Sequence, residues 1–545
     1  MIFCLPFEKN QYLQQGRTVH VNKWPCEAPE EGASRLKATS EVPSVIRYGL
    51  TDGSVKIGWE ALATIKTPLW KKNPSVLIDR FKLLLDTSES TADTQGEVDL
   101  IADFLQRVFT HALYFMRITY LLDERDDIEL VLTLPTAWSP MAVRKMCAAV
   151  DKASKLSKLP IGKTLRTVSE TEAAMAYVRK TSRDVEFETG NCVLIGDIGG
   201  GTTDTVPYRL ESSRLVELAP STVTFKFREA QTKDLDKFEE DDDGDLGYYC
   251  IRKDEIESIF NEACWQVWTL LKKQLDQVIQ LGHKVKMIVL VGGFSESLYL
   301  RHFIHYECGR SYGVEVMFPH KCQWAVVEGA MIWANNKQYQ ADRISRYSVG
   351  IKRHMPYEPI KRHHKGVKPD IDDWGCNYVK NCLEWVIKRG CLIPADGLTK
   401  TYDLYIPVEE DTPRITLSQE IYISETACED NYRDSNPVNA DAELLETVEF
   451  SIDMEPIRHL MTLTKLPKSN AKRRKTRDGK RTSDCYYKMN FKLEITINDL
   501  GLSYKIECLD SSKKAKTGTM SAPYIFKPGT VLRNSTGDVL GADGG

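Results

Sequence analysis

The sequence predicts an α/β protein that ends in a β-rich region. Three observations carry this. Strand-length apolar runs alternate with amphipathic helical patterns up to about residue 345. Several of those runs stop at a proline, a glycine turn or a helix cap. Beyond 345 the pattern changes to a period of two. "YYKMNFKLEITIND" is the cleanest case: Met489, Phe491, Leu493, Ile495 and Ile497 alternate with polar residues, as in a strand with one buried face. "KTYDLYIPV", "RITLSQEIYIS", "TVEFSIDM" and "LSYKIECLD" repeat the pattern and predict a sandwich.

Taken in order, residues 1–60 begin irregularly and become extended. Asp52-Gly53, between two short apolar runs, reads as a hairpin turn. Residues 98–122 form a long amphipathic helix. "IELVLTLP" (128–135) is a buried strand closed by Pro135. A helix over roughly 139–153 follows, with Ser139 as N-cap and Pro140 at its first position. "TLRTVSETEAAMAYVRK" is a strand and then a helix. Residues 254–281 form another long helix. "KVKMIVLVGGFSESLYLRHFI" (284–304) is strand, glycine turn and helix, with Ser295 as the cap.

Composition narrows the function. A chain of 545 residues should hold more than one domain. A net charge of −4 gives no general affinity for nucleic acid. The 14 cysteines are scattered without a CxxC pair, so neither a zinc site nor a disulfide framework is predicted. The opening segment is too polar for a secretory signal, and no apolar run approaches about 18 residues, so no membrane span is expected. A cytoplasmic protein is the expectation. An acidic run (233–245) and a basic run (470–481) read as solvated loops, and the basic one leaves a nuclear signal open.

The chemistry concentrates in "NCVLIGDIGGGTTDTVPYRL" (191–210). Gly199, Gly200 and Gly201 allow positive φ and close approach of another molecule. Successive N–H groups in such a turn make an anion nest. Asp197 ends the strand, where a carboxylate can orient a water or a magnesium-bound water. Thr202 and Thr203 offer hydroxyls to phosphate oxygens. No GK[ST] follows, so this is not a Walker loop. A glycine-rich hairpin without a ligand is the competing reading.

This hairpin resembles the "DxGGGTxD" phosphate motif of the seventy-kilodalton heat-shock (DnaK-type) proteins, in the actin-like ATPase superfamily. Four further segments follow the same order: "VLTLPTAWSPMAVRKMCAAVDKA", "VSETEAAMAY" (168–177), "LVGGFSES" (290–297) and "AVVEGAMIWA" (325–334). They are similar to the TVPA segment, the first interlobe connection, the adenosine motif and the second connection. The chain most resembles the divergent, fungal-type HSPA-twelve-like branch, which shares a "WVIKRGCLIP"-like stretch. The resemblance implies two ribonuclease H-like lobes, 1–190 and 191–345. A linking segment at 346–400 and a β-rich domain at 401–545 follow. It implies ATP or ADP with Mg²⁺ as ligands, and client or partner proteins at the β domain. Asp197 would orient the attacking water or the magnesium shell, and Glu170 would assist. Gly199 to Gly201 with Thr202 and Thr203 would hold phosphates. Gly292 and Gly293 would pack on the nucleoside, and Lys82 would stabilise charge on the transferring phosphate.

The pattern also departs from that family. Nothing like its first "DxGTT" phosphate loop precedes "VPSVIRY", and the helical subdomain after the hairpin is short. No apolar–acidic linker or helical lid accompanies the β domain. A pseudo-ATPase scaffold and a truncated product therefore stand beside the active ATPase. A sugar kinase of the same superfamily fits the motif order poorly.

Overall fold

The computed structural model describes residues 3–4, 21, 24, 42–63, 75–86, 94–120, 128–159, 161–182, 188–199, 202–211, 214–220, 253–371, 377–408, 412–426, 428–465, 485–498, 501–508, 524–526, 529–533 and 539–540. The acidic and basic runs lie outside them. The chain divides into two compact units, Met1–Asp342 and Arg343–Gly545. Among the described residues no helix is long and apolar enough to cross a membrane.

The first unit opens with β1 (Phe3–Cys4). In a small antiparallel sheet, β2 (Val45–Gly49) lies between β3 (Val55–Ile57) and β4 (Ser75–Asp79). The expected Asp52-Gly53 turn joins β2 to β3. Asp52 Oδ1 accepts the Ser54 N–H at 2.9 Å, and Gly53 takes a φ of 63°. Next come α1 (Gly58–Ala63), a 3-10 turn at Phe81–Asp86, and α2 (Thr94–Tyr120), the long helix predicted at 98–122. The buried stripe of α2 holds Phe104, whose ring lies 5.0 Å from that of Phe81. This contact anchors the 3-10 turn.

A βαβ unit follows: β5 (Ile128–Leu134), α3 (Pro140–Ser157) and β6 (Ile161–Ser169). β5 and β6 pair in parallel, and β1 pairs antiparallel on the other edge of β5, giving the order β1-β5-β6. Ser139 caps α3 as expected, its Oγ accepting the Ala142 N–H at 3.2 Å. α4 (Glu170–Thr181) starts directly at the end of β6, capped by Ser169 Oγ on the Glu172 N–H at 3.2 Å.

The larger sheet begins with the hairpin of β7 (Cys192–Ile198) and β8 (Thr203–Glu211), followed by β9 (Arg214–Glu217). Then come α5 (Lys253–Gln280), β10 (Val285–Val291), α6 (Leu298–Ser311), β11 (Glu315–Met317), α7 (Ala325–Asn335) and β12 (Ala341–Ile344). The order is β11-β10-β7-β8-β9, with Ala341 and Asp342 of β12 pairing with β9. β10 is parallel to β7 and β11, whereas β8 is antiparallel to both of its neighbours. The period of two divides the faces. Val193 and Ile195 pack with α4 and α7, while Leu194 and Ile198 pack with α5 and α6. One expectation is corrected. Ser297, not Ser295, caps α6, because a 3-10 turn at Gly293–Glu296 intervenes. Ser295 is buried inside that turn and donates to the Val291 carbonyl at 2.6 Å.

In the second unit, one antiparallel sheet is built around Asn377–Ile387, Ser348–Pro356, Arg414–Ser424 and Glu443–Asp453, in that order. The stretch 346–400, read as a linking segment, carries two of these strands. In the other sheet, Cys485–Asn498 lies between Leu398–Val408 and Gly501–Cys508. Met489, Phe491, Leu493, Ile495 and Ile497 are all buried, as their alternation predicts. Lys400 of one sheet meets Glu384 of the other at 3.1 Å. The structure is thus mixed α/β with antiparallel C-terminal sheets.

Candidate functional site

Four separate segments converge beside the C-terminal end of β7. The first is the hairpin itself. Gly199 N–H donates to the Thr202 carbonyl at 3.0 Å, which ties the end of β7 to the start of β8; Gly200 and Gly201 stand between them in the sequence. Those two glycines lie outside the described residues. Asp197 and Asp204 sit opposite each other across the ladder, as do Ile198 and Thr203. Alternation places both aspartates on the sheet face that packs on α4. Asp204 is buried, and the Thr203 Oγ1 is buried without a hydrogen-bond partner among the described residues.

The second segment is the turn after β10. Gly292 has a φ of 91°, a conformation that suits glycine. A Cβ there would lie 2.4 Å from Asp197 Oδ1 and 2.5 Å from the Ile198 carbonyl. The two glycine motifs, far apart in sequence, therefore touch. Gly292 N–H donates to the Cys322 carbonyl at 3.1 Å, which holds the turn from behind. A Cβ on Gly293 would meet nothing within 4 Å, so its backbone borders open space.

The third and fourth segments supply Glu170 and Lys82. Glu170 is the first residue of α4, and Lys82 stands on the 3-10 turn. Lys82 Nζ lies 2.7 Å from Glu170 Oε1 and 5.5 Å from the centre of the Trp138 ring. Both side chains are mostly buried, at 21% and 11% exposure, so this pair is better insulated from water than a surface ion pair.

The electrostatics tie these groups together. Burial pushes the Asp197 carboxyl well above the ordinary carboxylate range; the negative charges of Glu170 and Asp204 push it the same way, and Lys82 opposes them. Two further carboxylates thus act on Asp197, and Lys82, itself paired with Glu170, opposes them. Such a cluster repels a bare phosphate and favours a cation. Among the described residues no three His, Cys, Asp or Glu side chains converge tightly enough to ligate a metal unaided. Magnesium that arrives with a nucleotide uses only one or two carboxylates, with phosphate and water oxygens completing the shell. Asp197 and Glu170 fit that donor set. The open backbone at Gly293 fits a phosphate-bearing ligand, whereas Thr203, opposite Ile198 on the other face of the sheet and fully buried, is turned away from the aspartates.

Three features escaped sequence reasoning. Asp204 was visible in "DIGGGTTD" but received no role. Thr136, Thr171 and Tyr208 form a buried hydroxyl chain behind Glu170, with oxygens 2.8 Å and 3.4 Å apart. Only tertiary structure brings them together. Glu172, fully buried in an alanine-rich helix, accepts from Trp333 Nε1 at 2.7 Å and from the Ala341 N–H at 2.8 Å. A carboxylate among alanines was the available signal. Helices α4 and α7 cross closely here: a Cβ on Gly329 would lie 1.8 Å from the Ala173 carbonyl oxygen.

No protein-family model matches the chain, and a search of curated proteins returns no match.

Proposed function

We propose that the first unit is an actin-like nucleotide-binding body, akin to the heat-shock-seventy proteins of the HSPA-twelve-like branch, that takes ATP or ADP together with Mg²⁺. The carrying observation is the meeting of Asp197, Glu170, Lys82 and Gly292, four residues from distant segments, beside the C-terminal end of β7. The strand order β11-β10-β7-β8-β9, with only β8 reversed among these five strands, supports a ribonuclease H-like lobe. The close crossing of α4 and α7 supports the two interlobe connections.

In this reading Gly199 and Thr202 face the phosphates and Gly292 keeps side chains out of their path. Bound magnesium would neutralise phosphate charge. Asp197 and Glu170 would hold its water shell, and Lys82 would balance Glu170. A second reading, nucleotide binding without turnover, is favoured by the Lys82–Glu170 pair: the ammonium is engaged by a carboxylate at 2.7 Å. The β-rich unit would then serve as a platform for partner proteins.

Calorimetric titration of the full chain with Mg-ATP and Mg-ADP, paired with a phosphate-release assay, tests both. The expected result is saturable binding that EDTA abolishes and Asp197→Asn weakens at least tenfold. Phosphate release lost in Asp197→Asn would select the ATPase, and binding without release would select the scaffold. No heat and no thermal shift with either nucleotide would overturn the proposal.

A further inference from the structure

A second site stands on the outer face of α2, built from residues that the nucleotide reading does not use. A cavity of about 310 Å³ lies between β3, α1 and α2. This is the size of a small-molecule site, which typically starts at roughly 300 Å³. Its floor is apolar, formed by Val42, Val55 and Ile57. Its wall is aromatic. The Trp24 and His111 rings lie 4.6 Å apart and inclined at 37°, and Tyr114 lies one turn further along α2. Arg107, Thr110, His111 and Tyr114 follow the i, i+3, i+4, i+7 spacing of one helix stripe.

The polar groups narrow the ligand. Trp24 Nε1 is buried and has no hydrogen-bond partner among the described residues. An indole N–H can only donate, and a buried donor without an acceptor costs roughly 1–3 kcal/mol. Arg107 lines the same cavity, is exposed, and makes no ion pair among the described residues. A guanidinium also only donates. The hydroxyl of Thr110 is already bonded to the Gln106 carbonyl at 2.8 Å, and Glu60 has interactions of its own. Two donor-only groups beside an aromatic wall and an apolar floor call for a planar apolar body bearing an acceptor edge. The geometry points to a binding site for a small aromatic carboxylate, with its ring against Trp24 and its carboxylate received by Arg107 and the Trp24 N–H.

The test is isothermal titration of the full chain with 1-naphthoate as probe, and with neutral 1-naphthalenemethanol beside it. Saturable binding of naphthoate is expected, about tenfold weaker in Arg107→Gln and several-fold weaker in Trp24→Phe, which keeps a ring and removes the N–H. The neutral analogue should bind at least tenfold more weakly than naphthoate. Melting curves check that both variants fold; Arg107→Gln alters only an exposed side chain. Binding unchanged by both substitutions, equal affinity for the neutral analogue, or no saturation at millimolar probe would overturn the assignment. So would competition between naphthoate and Mg-ADP, because that would place the probe in the other site.

Discussion

The first unit contains two sheets whose strand ends meet at the candidate site, and they are built to different depths. The sheet of β7, β8 and β10 has partners on both sides and helices on both faces. It delivers the hairpin and the Gly292 turn in direct contact. Among the described residues, the sheet of β5 and β6 has three strands, and β1 covers its edge with a two-residue pairing. It delivers Glu170 at the start of α4, while Lys82 comes from a 3-10 turn anchored by packing on α2. The first sheet shapes the backbone turns and carries Asp197 and Asp204, and the second adds the charge that acts on them through Glu170. The difference teaches that the proposed nucleotide site depends on two unlike contributions, one steric and one electrostatic. Each can be broken separately.

The largest effect is expected where the two contributions are joined. Gly329→Ala places a Cβ 1.8 Å from a backbone oxygen that cannot turn aside, and should cost about 3 kcal/mol or more. Denaturant unfolding would show it, and an unchanged midpoint would mean that α4 and α7 do not cross this closely.

On the steric side, Gly292→Ala combines a strained φ with collision against Asp197 and Ile198, and should cost about 2 kcal/mol. Nucleotide affinity should fall more than tenfold at a temperature where the variant remains folded. Retained affinity would separate the Gly292 turn from the ligand.

On the electrostatic side the expected sign is reversed. The folded state raises the Asp197 carboxyl above its unfolded value, so it holds that proton more tightly than the unfolded chain does. Stability is therefore fullest below the ordinary carboxylate range and declines as pH rises through the folded value. Asp197→Asn removes this penalty. It should melt above the parent at pH 8, by less than Gly292→Ala lowers it, with the gap closing toward pH 3. A variant less stable than the parent at pH 8 would show that the carboxylate is stabilised in place.

The smallest effect belongs to the sheet of β5 and β6. Ser139→Ala removes one cap bond at the start of α3 and should cost about 1 kcal/mol, read as a small shift in melting temperature. A shift as large as that at Gly292 would mean that this sheet has little stability to spare.

Much of the architecture was legible because it is local. The α2 stripe, the Ser139 cap, the Asp52-Gly53 turn and the alternation from Met489 to Ile497 each follow from neighbours within a few positions. The α6 cap was misplaced by two residues because "SES" offers two serines. The choice between them depends on a 3-10 turn that keeps Ser295 buried against Val291. At the site, the glycine motifs and Asp197 were readable as motifs. Their mutual contact was not, since nothing in the order of residues says that Gly292 comes within reach of Asp197.

By itself, then, the sequence determined the periodicities, the turns and which residues have the chemistry for phosphate and magnesium. Those depend on side-chain type and short spacing. The tertiary structure alone decided that Lys82 pairs with Glu170, that Asp204 and Glu170 raise the Asp197 carboxyl, and that Trp24 and Arg107 line one cavity. Charge coupling and shared burial act between residues that are close in space, and chain order does not encode those distances until the sheets and helices have packed.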